Sequence, residues 1–93
     1  MQIGRLEVDC AADSGSITRF TPAANGALYL VNVPAGQGLV GYEPPITIGA
    51  IGDEANFRTW KVYVNGVERN DHRVRWCNGK LTIRAKGLFI VVR

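Results

Sequence analysis

Histidine and cysteine are scarce in this 93-residue chain, with one His and two Cys. His72 stands alone, and Cys10 and Cys77 lie far apart with neither in a C-x-x-C pair. A zinc site needs three or four such ligands at close spacing, so none is expected. For a chain made in a reducing cytoplasm, the expectation is two buried thiols that pack as small hydrophobes. A disulfide tying the first strand to a late one is the alternative.

Long apolar runs are also missing. The longest, such as Leu88 to Val92, fall far short of the ~20 residues a membrane-spanning helix needs. The N-terminus, MQIGRLEVDC, has neither a basic n-region nor an apolar h-region, so it does not read as a signal peptide. It starts with Met and passes almost at once into strand-like sequence. The expectation is a complete small chain, cytoplasmic as synthesised, with no membrane association.

Helical periodicity is absent too. No apolar 3.6-residue repeat persists for ten residues, and Asp53–Asn56 offers one turn at most. What is present is strand after strand. Ile3–Cys10 alternates, with Leu6, Val8 and Cys10 on one face and Glu7 and Asp9 on the other. Ile17–Thr21, Ala27–Val33, Leu39–Tyr42, Ile46–Ile51, Phe57–Val64, Arg73–Cys77, Leu81–Ala85 and Leu88–Val92 follow, separated by Gly, Pro and Asn. Asn-Gly, the strongest short hairpin signal, occurs at 25–26, 65–66 and 78–79. The length allows one domain over residues 1–93. The predicted fold is all-β: a small antiparallel sandwich, Ig-like or jelly-roll-like, of about seven to nine short strands, with a barrel as the alternative.

Gly36, Gly38 and Gly41 spell G-x-G-x-x-G after a predicted strand. The dinucleotide mechanism requires that loop to open a helix whose N–H groups hold a pyrophosphate. Pro44-Pro45 forbids that helix, so the glycines are read as turn residues and no cofactor is expected. His72 lies in the polar run Asn70–Arg73 and reads as a solvated turn residue. The carboxylates are scattered, and Glu7 with Asp9 reads as a wet outer face rather than an acid/base pair. No phosphate loop and no nucleophile–histidine arrangement stands out, so an enzyme is not expected.

Two patterns remain. Between Phe20 and Gly52 there is one charged residue, Glu43, in 33 positions. A domain this small has little core in which to hide a third of its length, so an uncharged protein interface is expected there. Its candidates are Leu28, Leu30, Val33, Leu39, Val40, Tyr42, Ile46, Ile48 and Ile51. The second pattern is charge asymmetry: net −3 over residues 1–53 and net +6 over 54–93. Arg69, Arg73, Arg75, Lys80, Arg84 and Lys86 cluster near the last hairpins as a candidate patch for an anionic partner.

The leading expectation is a non-enzymatic structural or interaction protein. It would pair with a protein partner or form a homo-oligomer through the uncharged stretch. Its general character is that of small virion accessory proteins, such as a capsid decoration or tail component. The alternative is a nucleic-acid-binding barrel of the OB type, with bases stacked on Trp60, Tyr63 or Trp76. A carbohydrate-binding sandwich that uses exposed Trp or Tyr with Asn and Asp is the third reading.

Overall fold

The computed structural model describes residues 1–12 and 14–85. Eight strands and one short 3-10 helix follow in order: β1 Ile3–Asp9, β2 Gly15–Ile17, β3 Pro22–Val31, β4 Ile46–Ile48, the helix Glu54–Thr59, β5 Lys61–Val64, β6 Val67–Glu68, β7 His72–Cys77 and β8 Lys80–Ala85. They build two four-stranded sheets, ordered β1-β3-β5-β6 and β2-β4-β8-β7. The fold is all-β, and among the described residues neither sheet closes into a barrel. The expected strand Leu88–Val92 lies outside the described residues.

Antiparallel pairing throughout does not hold. β1, β3 and β5 run parallel in the first sheet, and β2 runs parallel to β4 in the second. The chain therefore coils: β1 leads to β2 in the other sheet, then back to β3 beside β1, then to β4 beside β2. A parallel bridge between Phe20 and Ile51 keeps the same register between these strands. Parallel neighbours need a crossover, and the opposite sheet supplies it here in place of a helix. Only the second half is built of hairpins. Asn65-Gly66 and Asn78-Gly79 have positive φ at both residues, as a type I′ turn requires.

Asn25-Gly26 is not a hairpin. It sits inside β3, where Ile3 pairs with Pro22 but Arg5 pairs with Ala27, so β3 bulges. Asn25 takes φ 61°, and Trp60 packs over Gly26 and donates from its indole Nε1 to Ala23 O at 2.6 Å. Pro22, expected to stop a strand, instead begins β3, a position where its missing N–H costs no ladder bond. Ile17–Thr21 yields only the short β2 and the single bridge at Phe20. Leu39–Tyr42 forms no named strand, although Gly41 N donates to Ile83 O and Ile83 N to Tyr42 O.

The strand expected over Phe57–Val64 starts only at Lys61. Residues 54–59 wind as the 3-10 helix after Asp53, which has φ 50°. Three residues per turn place Phe57 and Trp60 above one another, and both are buried. With Phe20 they form an aromatic cluster: Phe20 stacks on Phe57, and Trp60 meets each edge-on at 5.9 and 5.0 Å. The main core lies between the sheets, from Val8, Leu28, Leu30 and Val62 on one side to Ile46, Ile48, Val74, Leu81 and Ile83 on the other. Each such side chain removed from water contributes about 1.5–3 kcal/mol before ordering costs.

Candidate basic face and cleft

The outer face of the second sheet follows from alternation. On β7, His72 and Val74 are buried while Arg73, Arg75 and Cys77 are exposed. On β8, Leu81 and Ile83 are buried, which turns Lys80, Thr82 and Arg84 outward. The register sets Arg73 opposite Arg84, Arg75 opposite Thr82, and Cys77 opposite Lys80, with Thr47 of β4 and Ser16 of β2 continuing the last row. Four cations thus occupy a patch one strand spacing wide and about 14 Å long, from the usual strand rise.

Among the described residues, none of these four cations is in an ion pair. The ion pairs present join other residues: Arg5 with Glu7 at 3.1 Å, and Asp71 with His72 and Arg69 at 2.7 and 4.0 Å. Like charges directly opposite on paired strands are destabilising. Arg73 facing Arg84 is therefore a cost that packing does not explain. Beside β7, the 3-10 helix forms a cleft of about 590 Å³ lined by Glu54, Ala55, Arg58, Arg73, Val74 and Arg75. It adds one cation and one carboxylate to the border of the face.

Of the six basic residues singled out from sequence, Arg73, Arg75, Lys80 and Arg84 come together. Arg69 lies in the connection before β7 and reaches toward Asp71, and Lys86 lies outside the described residues. Arg58 is the member sequence reasoning missed. Its proximity depends on the helix replacing the expected strand, which no alternation pattern signals.

The expected aromatic platform is not on this face. Trp60 is 1% exposed, and Trp76 points inward, half-buried, with its Nε1 donating to Ile48 O at 3.1 Å. Tyr63 belongs to the other sheet, where its ring stacks on Tyr29 at 4.7 Å and the Arg5 guanidinium covers the opposite face of Tyr29 at 3.9 Å. That column of side chains ties β1, β3 and β5 together across their parallel pairing.

The uncharged interface is largely core. Leu28, Leu30, Val33, Leu39, Ile46 and Ile48 are buried, and Tyr42 and Ile51 are half-buried against the same cluster. Only Val40, at 64%, stands free. The reason is topological: β3 lies between β1 and β5, and β4 between β2 and β8, so the uncharged third supplies the central strands of both sheets. The loop after β3 then folds Val33 and Leu39 inward.

His72 is buried rather than a solvated turn residue, and its Nδ1 lies 2.7 Å from Asp71 Oδ1. That hydrogen bond, with Arg69 nearby, holds the Asp71 carboxyl below the usual carboxylate range. Both cysteines are free; Cys10 is half-buried, and Cys77 is exposed on the basic face rather than buried. Among the described residues, no three metal-ligating side chains gather, and no helix is long and apolar enough to cross a membrane.

Comparison with protein-family models, with curated proteins and with solved structures gives no match. The expected virion setting therefore rests on the general character of the sequence alone.

Proposed function

We propose that this chain is a non-enzymatic interaction protein that holds the phosphate backbone of a nucleic acid on the β7–β8 face. The observation that carries this reading is the set Arg73, Arg75, Lys80 and Arg84 on one face, none of them in an ion pair among the described residues, with Arg73 directly opposing Arg84. The interaction role expected from the sequence is kept, but its surface moves from the uncharged stretch to the basic one.

The rest of the face favours phosphate over an acidic protein. Among the described residues its other members are Thr, Ser and Cys, with no large apolar side chain to form the dry centre of a protein interface. It also carries, among the described residues, no aromatic ring for base stacking and no Asn or Gln for reading adenine. Contacts limited to phosphates position a duplex without reading its sequence.

Fluorescence anisotropy with a short DNA duplex tests the reading. Four neutralised phosphates give a slope of log K against log salt of about −3 to −4. Removing Arg84 should flatten the slope by about 0.9. Absence of binding at low salt overturns the proposal, as does binding that ignores Arg73→Ala and Arg84→Ala. Equal affinity for polyglutamate of matched charge would point to an acidic protein instead.

A further inference from the structure

Among the described residues, the first sheet ends at β1, a seven-residue strand whose one partner is β3. We infer that β1 pairs antiparallel with β1 of a second copy, about a two-fold axis through Leu6. This inference does not rest on the nucleic-acid reading.

Backbone direction comes first. Cys10 N donates to Val31 O of β3, and the β1–β3 register is unbroken from Arg5 to Asp9. N–H and C=O groups alternate sides along a strand. Leu6 and Val8 therefore share the orientation of Cys10 toward β3, while Arg5 and Glu7 aim both backbone groups at the open edge. Among the described residues, nothing pairs with those groups.

Charge then selects the register. With Leu6 facing Leu6, Arg5 opposes Glu7 of the second copy and Glu7 opposes its Arg5. These two cross-strand pairs also exchange backbone hydrogen bonds in both directions. Sliding the strands by one pleat sets Arg5 against Arg5 or Glu7 against Glu7, and parallel in-register pairing does both. Charged edge residues generally guard against strand addition; the alignment about Leu6 is the one that opposes Arg5 with Glu7 without setting like charges face to face.

The side chains agree with the same register. Arg5 and Glu7 already approach within 3.1 Å on the outer face and can exchange partners without leaving it. The two half-buried Leu6 side chains would meet on the inner face and extend the core across the axis. The symmetry is isologous and closes at two copies. An interface of two short strands is small, so the dimer is reversible and concentration-dependent. The axis stands normal to the sheet, so both β7–β8 faces look the same way.

Sedimentation velocity of nucleic-acid-free protein, across micromolar to near-millimolar concentrations, tests this. Wild type is expected to pass from monomer to dimer. Arg5→Glu and Glu7→Arg should each stay monomeric, and the double swap R5E/E7R should recover the dimer. Glu7→Pro removes only an outward N–H, so it should stay folded by circular dichroism and remain monomeric. Three results each overturn the inference: a wild type that is monomeric throughout, a double swap no better than the single variants, or a dimer that survives Glu7→Pro.

Discussion

The indole of Trp60 occupies the space a side chain on Gly26 would need: a Cβ there would come within 2.6 Å of Nε1 and 2.7 Å of the Gly4 carbonyl oxygen. One obstacle is a buried ring held by its hydrogen bond to Ala23 and the other is backbone, so neither yields cheaply. Gly26→Ala is expected to destabilise the protein by about 1–3 kcal/mol, the usual cost of overpacking. Urea unfolding followed by tryptophan fluorescence measures it.

Asn65 does more than turn a hairpin. Its Oδ1 accepts from Val33 N at 3.0 Å and its Nδ2 donates to Val33 O at 3.1 Å, an imitation of strand pairing by one amide. Asn65→Asp keeps the size and tolerates φ 50°, but it loses the donor and turns a carboxylate toward a carbonyl. The expected loss is about 1–3 kcal/mol, read as a lower urea midpoint at pH 7.

Stability and binding should move in opposite directions at Arg84. Arg84→Glu converts a like-charge cross-strand pair with Arg73 into an opposite-charge one, a gain of about 0.2–1 kcal/mol. The same variant should lose duplex binding at low salt. Thermal melting and anisotropy on one preparation check both halves.

The pH limits follow from three groups. Burial, reinforced by the neighbouring Cys10 thiol, pushes the Tyr42 hydroxyl up to about 12 from 10.0. Its contribution is full below pH 10 and is lost as pH rises toward 12, because ionised Tyr42 is disfavoured in the fold. Tyr42→Phe should flatten that alkaline loss. On the acid side, Asn32 and the Ala11 N–H lower the Asp9 carboxyl, as His72 lowers Asp71. Those contributions are present above pH 3.8 and disappear as pH falls below it. Circular dichroism against pH, for wild type and Y42F, resolves the two limbs.

Alternation made several elements legible in the sequence. Leu6 and Val8 against Glu7 and Asp9 mark β1, and Arg73 and Arg75 against Val74 mark the basic stripe, because a period of two assigns side chains to faces. Asn65-Gly66 and Asn78-Gly79 announce their hairpins through the positive φ both residues need. Alternation does not say which strand lies alongside, so the parallel neighbours of β1 and β3 were hidden. Asn25-Gly26 carries the same local signal as a hairpin, and only the distant Trp60 makes it a bulge. The uncharged run from Phe20 to Gly52 misled for a related reason. Lack of charge marks positions away from water, and in a coil of two sheets the middle of the chain becomes the middle of each sheet.

That coil also orders events during folding. Among the described residues β1 has β3 as its sole ladder partner, and β3 lies one strand-crossover further along the chain, so the first strand synthesised waits for the third. β3 in turn is flanked on its far side by β5, which brings in Trp60 and the closing hairpins. Non-local pairings of this kind slow the search for the native state, since loop entropy is lost before contacts compensate. The N-terminal strand is thus among the last elements able to dock and, having one neighbour, among the first able to leave.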